Sequence, residues 1–291
     1  MTTTLKADAK AGGIFTIGGD LTVHRLGFGA MRITGDGIWG DPENPKEARA
    51  VLQRTIELGI DFIDTADSYG PETSELLIAE VLHPYPKGLV IATKGGLTRQ
   101  GPNEWTPVAR APYIQQCVEM SLRRLKLDCI DLYQLHRFDP KTPIEETLGA
   151  LKKLQEQGKI RHIGLSEVSV DEIKQARRHV AVVSVQNLYN IGDRKHEDVV
   201  DYCAQEKIGF IPWFPMAGGD LAKPGGVLDT TAKKHGATVS QLALAWLLHR
   251  SPVMLPIPGT SSVKHLEENT AAASLKLSEA EWKEIEQAAK G

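Results

Sequence analysis

A chain of 291 residues, 41% hydrophobic and 24% charged with a formal net charge of −3, is long enough to bury a sizeable core and offers no basic field for a nucleic acid. No apolar run approaches the length of a membrane span and the first residues lack the apolar core of a signal peptide, so a cytoplasmic protein with neither membrane nor nucleic-acid partner is expected. Cys117, Cys129 and Cys203 sit in apolar-periodic segments without metal-ligand spacing, which predicts buried thiols, no disulfide and no metal site.

In chain order, segments 14–17 and 21–23 alternate around Gly18-Gly19-Asp20 and read as a β-hairpin. Strands and helices then take turns: strand 26–29, helix 45–58, strand 61–64, helix 74–82, strand 89–94, helix 112–125, strand 129–136 and helix 144–157. Strand 160–166, helix 170–179, strand 183–187, helix 194–206, strand 209–213, helix 239–249 and strand 254–257 follow, with a last pair of helices over 262–273 and 278–289. The helices rest on stripes such as Ile144, Leu148, Leu151 and Leu154, or Ile114, Val118, Leu122 and Leu125. The strands are short apolar runs with polar ends, as parallel strands buried on both faces require. Eight such units predict an α/β fold, a (β/α)8 TIM barrel with an N-terminal β-hairpin and extra C-terminal helices. An open doubly wound sheet lacks its glycine-rich turn after the first strand, and no linker divides the chain, so 1–291 reads as one domain.

In a barrel the chemistry stands at the carboxyl ends of the strands. Gly59-Ile60-Asp61-Phe62-Ile63-Asp64 leads into Thr65-Ala66-Asp67-Ser68-Tyr69-Gly70, placing Asp64 and Tyr69 at one mouth; the next two strands bring Lys94 and His136 there. A phenol beside a Lys cation, with a carboxylate holding that cation, is a tuned general acid, and a neighbouring His can donate to a carbonyl oxygen. The set points to carbonyl reduction with Tyr69 as proton donor, Asp67 being only a loop residue. A metal-dependent barrel hydrolase would need clustered His and carboxylates, and His136 is the one His at a strand end.

With these residues in view, the sequence resembles the aldo-keto reductase superfamily over nearly its whole length. The matches are Leu26-Gly27-Phe28-Gly29-Ala30-Met31, the 59–70 stretch, Thr93-Lys94-Gly95, Leu132-Tyr133-Gln134-Leu135-His136, Ile163-Gly164-Leu165-Ser166-Glu167 and Val185-Gln186-Asn187-Leu188-Tyr189-Asn190. The resemblance implies Asp64, Tyr69, Lys94 and His136 as the catalytic tetrad, and NADPH, less often NADH, as cofactor. It further implies cofactor contacts from Gly29, Ala30, Met31, Asp64, Ser166, Glu167 and Gln186, and from Trp213, Phe214, Pro215 and Met216 after the seventh strand, with Trp213 stacked on the nicotinamide. Ile257, Gly259, Thr260, Ser261, His265, Glu268 and Asn269 match the adenosine-phosphate segment, where hydroxyls and a helix start suit a phosphate.

Three departures stand out. Glu167 occupies a position where many members have Asn; Gly259 and His265 stand where many have the Lys and Arg that grip the 2′-phosphate; Arg137 follows His136 where some have Trp. Long Gly- and Pro-containing loops over 33–44, 95–110 and 215–226 should wall the substrate pocket, with Trp39, Trp105 and Phe138 as apolar walls and Arg99 or Arg137 for an anionic group. The resemblance implies a small-molecule carbonyl substrate, small aldehydes or pyridoxal. A cofactor-binding redox-sensing or regulatory subunit with little turnover is the alternative; the sequence leaves the oligomeric state open, with a monomer expected.

Overall fold

The computed structural model describes residues 5–216 and 222–289. The expected hairpin is present as β1 (Ile14–Ile17) and β2 (Leu21–His24), antiparallel with Ile14 opposite His24 and Ile17 opposite Leu21. Next come β3 (Phe28–Gly29), α1 (Pro45–Glu57), β4 (Phe62–Asp64), α2 (Thr73–Leu82) and β5 (Val90–Gly95), whose following loop carries a small antiparallel ribbon of β6 (Leu97–Thr98) and β7 (Thr106–Pro107). Then α3 (Ala111–Leu125), β8 (Ile130–Leu135), α4 (Ile144–Glu156), β9 (Ile160–Ser166), α5 (Val170–Ala176), β10 (Val182–Gln186), α6 (Glu197–Glu206) and β11 (Gly209–Phe210) continue the alternation. The helices α7 (Val227–Lys234), α8 (Val239–Arg250), α9 (Val263–Ala271) and α10 (Glu279–Ala288) complete it.

Seven strands form one parallel sheet in the order β11-β10-β9-β8-β5-β4-β3. The strand expected over 254–257 is present as a connecting segment instead of a regular strand. Phe210 N donates to Val253 O and Leu255 N to Phe210 O, both at 2.8 Å, while on the other side Gly27 N donates to Pro256 O at 3.0 Å and Gly29 N to Pro258 O at 3.3 Å. Pro256 and Pro258 have no N–H to return, so the ladder on that side runs one way. The two sheet edges are thereby joined, and the molecule is an α/β barrel.

Its interior follows from the two-residue alternation of strands. Phe62, Val90, Leu132, Ile211 and Leu255 point inward and cluster with Ile17, Leu21 and Val23 of the hairpin, which plugs the lower end. Two residues further along β4, and two or four along its neighbours, the inward positions turn polar: Asp64, Lys94, Gln134, Ser166 and Gln186. Gly164 keeps the centre open, since a Cβ there would lie 2.2 Å from Ser184 Oγ and 2.9 Å from Gln134 Cγ.

The predicted helix stripes face this barrel: Leu148, Leu151 and Leu154 of α4 and Ile114, Val118 and Leu125 of α3 are buried, each stabilising the fold by about 1.5–3 kcal/mol. Helix α6 begins later than the spacing suggests, because Asn190 and Asp193 close a turn by mutual backbone hydrogen bonds before it. Helix α7 was not expected; its stripe of Leu228, Thr231 and Ala232 is too short and polar to signal itself. Cys117 and Cys203 are buried and Cys129 half-buried, all as free thiols. Among the described residues no helix is long and apolar enough to cross a membrane, and no group of three or more His, Cys, Asp or Glu could hold a metal.

Candidate active site

Strand β4 ends in Asp64 because Phe62 two residues earlier points into the barrel core, so Asp64 must point into the barrel one layer higher. Register does the rest: β5 lies parallel to β4 with Asp64 opposite Ala92, which puts Lys94 one step above it. The Lys94 ammonium, fully buried, donates to Asp64 Oδ1 at 2.6 Å, to Thr65 O at 2.8 Å and to the Tyr69 hydroxyl at 3.3 Å. Asp64 Oδ2 accepts from Gln134 Nε2 and Gln186 Nε2, each at 2.9 Å. The carboxylate thus accepts from three buried donors and is fixed as the counter-ion of Lys94.

Burial works against the Lys94 cation, but the Asp64 and Tyr69 partners outweigh it and its pKa lies above the ordinary value. The sequence-based expectation that Lys94 lowers the Tyr69 pKa is corrected here: burial of the phenol is the larger effect and pushes it up, with Lys94 pulling in the opposite direction. His136 is held well below its ordinary value by burial and by the positive charges of Lys94, Arg137 and Arg99, and is a neutral imidazole at neutral pH. Its Nδ1 lies 3.3 Å from Ser68 Oγ.

The rings of Tyr69, His136 and Trp105 meet edge to face, with centroids 5.8–6.4 Å apart. Trp105 therefore packs beside the phenol and the imidazole. Trp39 stands further out, with Arg99 5.5 Å from its ring and 3.7 Å from that of Trp105. Arg99 itself is not the anion site proposed from sequence. All five of its N–H donors are taken by backbone carbonyls, those of Gly37, Ile38, Ser68, Gly101 and Glu104, so it ties three loops together. Nothing in the sequence signals that role.

Arg137 is half-buried and donates through Nη1 to His136 O and to Ser166 Oγ, the latter at 2.8 Å, leaving Nε and Nη2 without a partner among the described residues. Glu167 has the left-handed φ of 55° and aims its carboxylate along the rim, where Oε1 accepts from Leu188 N at 2.6 Å and Trp213 Nε1 at 2.7 Å. Phe214 is 57% exposed, Pro215 buried and Met216 half-buried, and of the loop 215–226 residues 217–221 lie outside the described residues. Asp67, read from sequence as a mere loop residue, is buried; burial and the nearby Glu75 charge raise its pKa to about 7. It borders a cavity of about 310 Å³ behind the Tyr69 loop, on the side of Cys117 and Arg124.

At the far end of the mouth, Gly29, Ala30 and Met31 run beside Ile257 and Gly259, so closely that a Cβ on Gly259 would lie 2.7 Å from Gly29 O. Thr260 Oγ1 accepts from Ser262 N, and Glu47, on α1, accepts from Val263 N at 2.9 Å, so the start of α9 is partly closed by the chain itself. The amides of Lys264 and His265 meet no protein acceptor among the described residues. Ser261 and His265 are exposed, Glu268 half-buried and Asn269 buried. One cation was missed: the exposed Arg32 passes with its Cγ 3.5 Å from where a Gly259 Cβ would be, and no residue among those described pairs with it.

The model of the aldo/keto reductase family matches residues 25–290. An uncharacterized oxidoreductase of Schizosaccharomyces pombe is 56% identical over 271 residues, 93% of this chain and 88% of that protein. The pyridoxine 4-dehydrogenase of Escherichia coli is 42% identical over 271 residues, 91% of this chain and 94% of that protein. Among solved structures, an aldo-keto reductase from Klebsiella pneumoniae in complex with NADPH superimposes with a TM-score of 0.79 at 27% identity, covering 94% of each chain. A thermostable aldo-keto reductase bound to the inhibitor epalrestat gives 0.83 at 31% identity, over 94% of this chain and 99% of that one.

Proposed function

Because this chain belongs to the aldo/keto reductase family, we propose that Asp64, Lys94, Tyr69 and His136 form the centre at which it reduces aldehydes to alcohols, reversibly, with NADP(H). The observation that carries the reading is the Tyr69 hydroxyl 3.3 Å from a fully buried ammonium that Asp64 locks in place, at the open end of the barrel. In the same reading, 253–258 is the eighth stave of a (β/α)8 barrel.

The residues fit such a cofactor by their hydrogen-bond chemistry. A carboxamide offers one acceptor and two donors; Ser166, which accepts from Arg137, keeps its own O–H to donate, and Gln186, whose nitrogen serves Asp64, keeps its carbonyl oxygen to accept. Trp213, pinned at Nε1 and half-buried, supplies a flat face. At the phosphate end Arg32 stands in for the cation missing at Gly259, with the hydroxyls of Thr260 and Ser261 and the free amides at the start of α9 beside it.

When bound, the dinucleotide supplies a hydride to the carbonyl carbon, or takes it back from the alcohol. Tyr69 donates its O–H to the carbonyl oxygen and passes the proton over as negative charge develops there. Its raised pKa keeps the phenol protonated through the neutral range, and an alkoxide is basic enough to take that proton. The phenolate left behind faces the Lys94 ammonium. Neutral His136, when Ser68 O–H donates to its Nδ1, presents Nε2–H to the same oxygen. Trp105 covers the site and limits water.

For the substrate, the E. coli relative's name and the free donors of Arg137 support a pyridoxal-type aldehyde, whose anionic ring oxygen Arg137 would meet between the flat walls of Trp105 and Trp39. A panel of aldehydes and ketones including pyridoxal, followed by NADPH absorbance, tests this. Oxidation of NADPH with some member of the panel is expected; none at all, despite tight cofactor binding, overturns the enzymatic reading.

A further inference from the structure

The Glu167 carboxylate touches neither Lys94 nor Tyr69 by hydrogen bond, yet it is held firmly at the rim of the same mouth. Its left-handed backbone, with φ of 55°, turns it towards β10 and the end of β11. There Oε1 accepts two short bonds, from Leu188 N at 2.6 Å and from the Trp213 indole N–H at 2.7 Å. The Trp213 backbone is fixed as well, its N donating to Asn187 O at 3.2 Å. His196 Nε2 lies 3.9 Å from Glu167 Oε2, buried and without a hydrogen-bond partner among the described residues, and Arg137 and Glu167 attract one another electrostatically. Trp213 is thus held at its polar edge by the Glu167 carboxylate.

Two consequences follow. A hydrogen bond to a carboxylate fixes the ring plane, because the N–H direction and the backbone together leave little freedom of rotation. It also pushes electron density into the indole, and the indole face already attracts cations better than any other side-chain ring. A nicotinamide ring is cationic when oxidised and neutral when reduced, so the two forms meet this face with different energies. We infer that the Glu167–Trp213 pair sets the preference of the site for oxidised over reduced cofactor, Glu167 being a positioning residue that acts through the indole. By linkage, tighter holding of the oxidised form draws the bound equilibrium towards the alcohol and slows release of NADP+. The inference rests on the reading of Trp213 as the wall for the nicotinamide.

The test is equilibrium titration of NADP+ and NADPH separately, followed by tryptophan emission, on wild type, Glu167→Gln, Trp213→Phe and the double variant. Gln keeps the size and one acceptor oxygen but removes the charge; Phe keeps a ring but removes the N–H. Glu167→Gln should weaken NADP+ by about two- to fivefold relative to NADPH, the size of one cation–π contact. In the Trp213→Phe background the same change should leave the ratio unmoved, since sites that act through one contact are not additive. A Glu167→Gln effect equal for both forms, or one that persists in Trp213→Phe, overturns the inference. Wild type that binds neither form overturns the functional reading beneath it, and this inference with it.

Discussion

Lys94 Nζ lies 2.6 Å from Asp64 Oδ1, and solvent reaches neither residue to any extent. A pair so buried is held for its geometry: the charges cost several kcal/mol each to desolvate and are retained where they fix something else in place. What they fix is the Tyr69 hydroxyl, 3.3 Å from the same ammonium.

Tyr69→Phe removes the proton donor and little else, since among the described residues the phenol makes no hydrogen bond other than that with Lys94. Steady-state kinetics should show the rate constant for aldehyde reduction falling by about 10²–10⁴-fold. Cofactor affinity, read by titration, should be unchanged. A rate near wild type would remove Tyr69 from its role.

Lys94→Met leaves Asp64 charged and unpaired in the barrel, which costs about 3–5 kcal/mol of folding stability. Lys94→Met with Asp64→Asn should recover much of that in denaturant titrations while reductase activity stays lost. If the double variant is active, the ammonium is structural only.

Asp67 gives a pH signature. Its carboxyl has a pKa of about 7 in the fold against the ordinary 3.8, through burial first and Glu75 second. Between those values the folded state holds the extra proton, so stability present below about pH 4 is lost as pH rises towards 7. Asp67→Asn, neutral throughout, should match wild type near pH 4 and exceed it by about 2–4 kcal/mol at pH 8. A gap that does not widen with pH would contradict the assignment.

Arg32→Ala tests the cation at the phosphate end. NADPH should bind about tenfold more weakly while NADH is little affected, because a charge-assisted contact is lost only where the 2′-phosphate is present. The difference should shrink in high salt. Equal losses for both cofactors would place Arg32 elsewhere in the binding.

The barrel and the convergence of Asp64, Lys94 and His136 were legible because both obey simple periods. Strand alternation puts Phe62 in the core and so forces Asp64 into the mouth, and the same parity carries Lys94 and His136 there. What was not legible depends on contacts between residues far apart in sequence. The proximity of Arg32 to Gly259 joins positions from opposite ends of the chain, Glu167 reaches Trp213 only through a left-handed turn, and 253–258 departs from a regular strand because of its two prolines. The direction of the Tyr69 shift depends on how deeply the phenol is buried, which no spacing reveals.

Every hydrogen bond that Arg99 makes goes to a carbonyl oxygen, and a carbonyl is the same whichever side chain its residue carries. The side chains at 38, 68, 101 and 104 can therefore change without loosening the knot, whereas Gly37, with φ of 65° and Pro102 2.6 Å from where a Cβ would stand, is held to glycine. A descendant of this enzyme could try new pocket linings on three loops at once, each trial inheriting a frame that already holds the Tyr69 loop in place.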